Sequence, residues 1–304
     1  MLFSSIWRGV RAWQSCAVRP PVPSFFMTLS VRLTSDPAQV LDGARAFLIS
    51  RPVEHNAILT LLQRRVEQPE PGRYWVANHE AEVVGVAFQS PLDYAVTLTP
   101  MANEVGCAVV QAIVGAGISL PGVVGEAATA ARFAGQWTEV TKSGARPREG
   151  QRIYALGELR LPSTVEGTFG AATDEDVELV VRWAEQFSRD AGSPALAPEQ
   201  VANRVTNGEF WLWRTDRPVS MAAMTPNMEG VVRIYGVYTP PENRQRGYAG
   251  ACVGHLSALA ENRGHACMLY TDLGNPVSNS VYRRLGYVAV HEVIRYDFSH
   301  TPIP

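Results

Sequence analysis

The sequence predicts an α/β protein made of two similar halves. Three observations carry that expectation. Each half contains helical stretches followed by a strand hairpin. In the second half, a strand rich in β-branched and aromatic residues runs through a loop of prolines and arginines into a helix. The composition, 46% hydrophobic and 18% charged over 304 residues, is that of a soluble globular chain with ample core. That length suits one large or two ordinary domains. A formal net charge of -2 gives no electrostatic reason to expect nucleic acid or an acidic membrane as a partner. Any anion site must therefore be local.

The first 26 residues, "MLFSSIWRGVRAWQSCAVRPPVPSFF", hold arginines but no acid, and the first carboxylate of the chain is Asp36. They read as a disordered extension ahead of a domain opening at Met27, with a mitochondrial-type presequence as the alternative. A cytoplasmic location is expected on the first reading. The uncharged run from Val105 to Gly125 has about the length of a membrane span, but Gly106, Gly115, Gly117, Pro121 and Gly122 interrupt it. It predicts a buried helix, a turn and a short core strand. The four cysteines, Cys16, Cys107, Cys252 and Cys267, lack close metal-type spacing and read as free thiols, mostly buried. No metal is expected.

Past Met27 the chain repeats its own order. "SDPAQVLDGARAFLIS" and further helix lead to the hairpin "RYWVANHEAEVVGVAFQSP" in the first half. "TDEDVELVVRWAEQFSRD" and "PEQVANRVTNG" lead to "EFWLWRTDRPVSMAAMTPN" in the second. The order implies a tandem duplication joined in "ELRLPSTVEG", with domains over 27–162 and 163–304. Nothing in the first half matches "RQRGYAG".

That loop has a physical reading. "GVVRIYGVYT", Gly230 to Thr239, predicts a strand that Pro240 and Pro241 end. Helical spacing follows through Ala249, Val253, Leu256 and Leu259 to a C-cap at Gly264. A helix N-terminus offers unpaired N–H groups and the positive end of a dipole, which suits phosphate. Gly247, Ala249 and Gly250 keep bulk away, and Arg244 and Arg246 add charge that can pair with phosphate oxygens. Further on, "NPVSNSVYRRLGY" predicts a short helix capped by Asn275, with Pro276 at its first position and Gly286 as its stop. Asn279 and Tyr282 share one face of it.

The loop and the short helix, in this order, resemble the GCN5-related N-acetyltransferase family over about residues 165 to 299. Arg244, Gly247 and Ala249 match its pyrophosphate motif, and Asn275, Asn279, Tyr282, Gly286 and Tyr287 match its second acyl-CoA motif. The resemblance implies two lobes, each a mixed, mostly antiparallel sheet flanked by helices. Only the second binds acetyl-CoA, as in tandem acetyltransferases and glycine N-acyltransferase-like proteins with a degenerate N-terminal lobe. It also implies that the central strands of the second lobe splay to admit the thioester. The backbone of Val237, Tyr238 and Thr239 would then pair with the pantetheine arm. The loop Arg244, Gln245, Arg246, Gly247, Tyr248 and Ala249 would hold the pyrophosphate, with Asn275 and Asn279 on the pantetheine or nucleotide side.

By the same resemblance the reaction is transfer of acetyl from the co-substrate acetyl-CoA to a primary amine, by direct attack in a ternary complex. The acceptor is a small molecule or a peptide. Tyr282 stands where the family places the general acid that protonates the departing thiolate. The strand from Gly230 to Thr239 carries no carboxylate to serve as base. Glu209, Glu229 and His255 are the nearest candidates in sequence, each with a structural role as the expectation. The first half is expected to shape the acceptor site, with Trp75, Phe88 and Tyr94 as either pocket lining or aromatic core. Transfer of a longer acyl group to an amino acid such as glycine, or acyl-CoA sensing without turnover, are the alternatives.

Overall fold

A computed structural model describes residues 29–148, 150–192 and 195–299. The extension 1–26 and Cys16 lie outside the described residues. The first half runs β1 (Leu29–Thr34), α1 (Pro37–Gly43), α2 (Arg45–Ser50), α3 (Asn56–Glu67), β2 (Arg73–His79), β3 (Glu82–Gln89) and β4 (Val96–Leu98). It continues through α4 (Asn103–Gly115), β5 (Gly122–Glu126), α5 (Ala127–Thr141), β6 (Gly144–Pro147) and β7 (Gln151–Leu156). The second half runs β8 (Thr168–Ala171), α6 (Val177–Asp190), α7 (Pro198–Thr206), β9 (Phe210–Arg214), β10 (Pro218–Met224) and β11 (Val231–Tyr238). It ends with α8 (Tyr248–Asn262), β12 (Ala266–Asp272), α9 (Pro276–Arg284) and β13 (Tyr287–Ser299). The long uncharged run is α4, a turn and β5, as its glycines and Pro121 require. None of the helices among the described residues is long and apolar enough to cross a membrane.

Each half builds the same arrangement. Three antiparallel pairings, β1-β2-β3-β4 and β8-β9-β10-β11, are followed by a parallel one, β4 with β5 and β11 with β12. The parallel step needs a crossover, supplied by α4 and α8. The halves are joined into one sheet, ordered β1-β2-β3-β4-β5-β13-β7-β12-β11-β10-β9-β8, with β6 also on β13. The last strand of each half has thus changed sides. β7 pairs with β12 of the second half, β13 pairs with β5 of the first, and the two run antiparallel against each other at the centre. The join at 162 and 163 divides the chain but not the sheet.

Both faces of this sheet are covered. One carries α4 and α5 over the first half, around Val109, Val123, Phe133 and Trp137, and α8 and α9 over the second, around Val253, Leu256, Leu269 and Tyr282. The other carries α1 to α3 around Leu48, Leu62, Val76 and Phe88, and α6 and α7 around Trp183, Val205 and Leu212. Between those two helix groups the second face is floored by Ile153, Val231 and Met268, with Tyr270 and Val293 against them and Val53 laid on top. Val53 belongs to the segment joining α2 to α3. The first half therefore reaches over the sheet of the second.

The exchange predicts that residues 163–304 alone will not give a stable monomer, because β12 would expose a free edge where β7 belongs and β13 would lack β5. Size-exclusion chromatography with light scattering should find oligomer or aggregate. A monomer melting at the temperature of the full chain would contradict this.

Candidate functional site

The site begins with a broken strand pair. β11 and β12 are in parallel register from Val231 with Ala266 to Ile234 with Leu269, and no further. Beyond that, Tyr235–Tyr238 stay on β10 while Tyr270–Asp272 stay on β7, so a gap opens between them. The cause is local. Between Met221 and Ala223 the β10–β11 register shifts, so that two steps on β10 match three on β11. Gly236 takes φ +58° inside that stretch. A bulge of this kind bends its strand, and a left-handed residue in it favours glycine. Gly236 was not among the expected site residues. A glycine inside a β-branched strand is the signal that would have found it.

The open end of β11 leads into the loop. Pro241–Asn243 form a 3-10 turn, Gln245 has φ +64° and Gly247 has φ +82° at the N-cap of α8. Left-handed residues so close together turn successive N–H groups toward one side, and such nests bind anions. Among the described residues, the backbone N–H groups of Gln245 to Gly250 have no hydrogen-bond partner, whereas the next, that of Ala251, reaches Gly247 O at 3.0 Å. Six donors in a row with no protein acceptor, at the positive end of a 15-residue helix, form an anion cradle. Gly247 is needed for its backbone angle, and a Cβ there would also come within 3.0 Å of Val165 Cγ2. Gly250 is not sterically required, since a Cβ there would meet only Val281 Cγ1 at 3.6 Å.

The two arginines of the loop differ. Arg244 is held on the surface by its neighbours: its Nε donates to Thr239 O at 2.9 Å, its Nη2 pairs with Asp190 at 2.7 Å, and its guanidinium lies over the Tyr238 ring. It braces the loop against β11 and α6, where both arginines were expected to face phosphate. Arg246 is exposed and makes no ion pair among the described residues, which leaves it as the charge facing outward. Tyr248 and Ala249 are half-buried in the first turn of α8. Val237 on β11 and Thr239 just beyond it are half-buried. The Tyr238 ring is buried toward Trp183, and its carbonyl accepts from Ser220 Oγ at 3.1 Å.

The short helix α9 follows the gap strand. Asn275 caps it, accepting from Ser278 N at 3.0 Å, and its side chain is exposed. Asn279 is 5% exposed, and its polar atoms bond within the protein. Its Nδ2 donates to Asp272 O at 2.9 Å and Asn275 O at 2.7 Å, and its Oδ1 accepts from Tyr154 Oη at 3.0 Å. Asn279 thus ties α9 to the end of β12 and to β7. Tyr282 packs its ring 6.4 Å from Tyr154 and 6.1 Å from Tyr287. Burial pushes its phenol up to about 12, and its hydroxyl has no hydrogen-bond partner among the described residues. It stays protonated across the physiological range. Burial likewise pushes the Cys252 thiol to about 12 and the Cys267 thiol to about 11, so both are inert hydrophobic residues.

The three base candidates all lie elsewhere. Glu209 accepts from Tyr235 Oη at 2.8 Å, in a bridge to Arg204. Glu229 pairs with Arg45 at 2.6 Å, across the two halves. His255 is on α8 with its ring against Trp213 and Phe169. Trp75 and Phe88 are buried in the two first-half cores, and Tyr94 is exposed. At the matching place in the first half, α4 starts at Asn103 with Glu104 in its first turn and no arginine. A carboxylate there opposes an anion at the helix start. Among the described residues no cluster of side chains could hold a metal ion.

Comparison with known proteins agrees with this geometry. No curated protein matches the chain. An acetyltransferase of the GNAT family from Colwellia psychrerythraea superposes with a TM-score of 0.60 at 10% identity, covering 89% of this chain and 100% of that one. A GCN5-related N-acetyltransferase from Sphaerobacter thermophilus does so with a TM-score of 0.60 at 16% identity, covering 90% and 96%. At these identities the likeness is one of fold, and it extends through both halves. The model of the acetyltransferase (GNAT) family matches residues 177–287, which include the gap, the amide cradle and Tyr282. Residues 177–287 of this chain are therefore similar to the acetyltransferase domain of the GNAT family.

Proposed function

We propose that this protein transfers an acetyl group from acetyl-CoA to a primary amine by direct attack in a ternary complex. The observation that carries this reading is the run of six unpartnered amides opening beside a gap in the sheet. A pyrophosphate needs the first and an extended thioester arm needs the second. The amides of Gln245 to Gly250 and the Arg246 guanidinium would hold the phosphates. Val237 to Thr239 would offer backbone groups along the gap, and Asn275 is exposed at its far side. Acetyl-CoA supplies the activated acyl carbon and a thiol leaving group.

Tyr282 is proposed as the proton donor to the departing thiolate. With α8 and α9 covering one face of the gap, the amine must approach from the other. There the segment carrying Val53 forms a wall, and this is the sense in which the first half shapes the acceptor site. The compartment in which the protein works is expected to be the cytoplasm.

Three outcomes follow. Acetyl-CoA should raise the melting temperature, since a ligand at 100 times its Kd stabilises by about 2.7 kcal/mol. Gly247→Val should lose that shift while still folding, because a left-handed non-glycine residue costs only about 1–2 kcal/mol. A wild-type shift in the variant would refute the cradle. Calorimetry should give one acetyl-CoA per chain, since α4 presents Glu104 where α8 presents open amides; two would overturn the reading. Tyr282→Phe should keep acetyl-CoA affinity and lower single-turnover rates by about 10²- to 10⁴-fold. An acid must be protonated to act, so with its phenol near 12 the wild-type kcat should show no alkaline fall from this group below pH 10 or so. A Phe variant as fast as wild type would leave Tyr282 a packing residue.

A further inference from the structure

We propose that Arg233 binds a carboxylate on the acceptor, so that the amine acetylated is that of a free amino acid. This rests on the acetyltransfer reading above and names the class of its amine.

Arg233 stands on the side of the gap left open to the amine. Along β11, Val232 and Ile234 pack under α8, while Val231 packs with Met268 of β12 on the opposite face. Alternation along the strand puts Arg233 on that opposite face too. Its register partner is Met268, one step short of the last paired residues, Ile234 and Leu269. Its guanidinium does not stay level with Met268. It lies 5.7 Å from the centroid of the Tyr270 ring. Tyr270 is the first β12 residue beyond the pairing, on the same face as Met268 and two residues, about 7 Å, further along the strand. The side chain therefore leans to the closed end of the gap. An arm anchored at the amides of α8 and running back along β11 brings its thioester to that end. Arg233 and Tyr270 are both half-buried, so neither is sealed beneath the first half.

Two tyrosines flank the gap on this face, and they differ in one respect. Tyr235 begins the unpaired stretch of β11 as Tyr270 begins that of β12. Each has an arginine over its ring, Arg204 at 5.5 Å and Arg233 at 5.7 Å. At Tyr235 the positive charge is answered within the protein: Arg204 Nη1 donates to Tyr235 Oη at 3.1 Å, and that hydroxyl donates to Glu209 at 2.8 Å. At Tyr270 it is not, because Arg233 makes no ion pair among the described residues. The acids around it have other partners. Glu229, just before β11, is held by Arg45 at 2.6 Å, and Glu54, beside Val53, by Arg51 at 3.0 Å. Asp272, next on this face of β12, accepts from Gln151 at 3.3 Å.

A guanidinium presents its N–H donors as a planar fork that a carboxylate fills with two parallel bonds. The same charge repels a diamine, whose second ammonium would face it. A lysine side chain within a peptide has no carboxylate beside its amine. In a free amino acid the amine and the carboxylate share one carbon, so a molecule fixed at Arg233 by its carboxylate is held with its amine at the thioester. Positioning of that kind is a large part of what a ternary complex contributes to rate.

The test measures thiol release from acetyl-CoA with matched acceptors: amino acids, their carboxamides, the corresponding decarboxylated amines, and lysine peptides blocked at both ends. Rates are compared per concentration of unprotonated amine, since removing the carboxylate changes the amine's own ionisation. Wild-type kcat/KM should favour an amino acid over its amide by about 10²-fold, mostly through KM. Arg233→Met keeps an extended side chain against Tyr270 without the charge, and it should bring the amino acids down to the level of their amides. Arg233→Lys should retain part of the preference. Melting temperature and the acetyl-CoA-induced shift should stay those of wild type in both variants. Amides, amines or blocked peptides used as well as amino acids by the wild type, a comparison that needs no variant, would overturn the assignment and leave the acetyltransferase reading standing. So would an Arg233→Met protein that keeps the preference. Wild-type protein that transfers acetyl to none of these acceptors would overturn both.

Discussion

Tyr154 stands on a strand from the first half, and its hydroxyl donates a hydrogen bond to Asn279 Oδ1, on the helix that carries Tyr282. That bond exists because β7 and β13 have changed places. Through it the position of the proposed acid depends on the half that has no phosphate loop. The same exchange sets Glu126 of β5 opposite Val293 of β13. Neither half can complete its own sheet, and the edge each would expose is closed by the other. The duplication is therefore one cooperative structure, although the chain reads as two copies.

The second constraint is the geometry of the gap. A parallel strand pair that stays in register has no room for a ligand, since each strand satisfies the other. The bulge at Gly236 ends the pairing after Ile234 and Leu269, which frees one edge of β11 to face something other than protein. The loop beyond it keeps six amides unpartnered, a state that water tolerates at an exposed helix start but that a buried one would not. Both features weaken the isolated fold slightly and create the same kind of site, backbone donors held rigid and open.

Burial then sorts the ionisable groups. Tyr282 is enclosed by aromatic rings, and its phenol is raised enough to keep its proton, whereas burial lowers the half-buried His291 imidazole. Desolvation disfavours the charged form in both, which raises an acid and lowers a base. Arg244 is held by a pair with Asp190 and a stack on Tyr238, and Arg246, two residues on, makes no ion pair among the described residues.

The sequence by itself determined the elements and the phosphate loop. β-branched runs, caps such as Asn275 and stops such as Gly264 and Gly286 act within a few residues of themselves, and so does the left-handed turn at Gly247. The repeat of helices and hairpin was legible for the same reason. Tertiary structure decided what depends on residues far apart in the chain. The bond from Tyr154 to Asn279, 125 positions away, is one such case. The strand exchange leaves no trace in local pattern, because β7 and β13 would show the same alternation beside either neighbour. The face of the sheet on which His291 stands was invisible because one extra residue, Val290, reverses it, and alternation read along a strand carries no mark of a bulge until the partner strand is present to count against it.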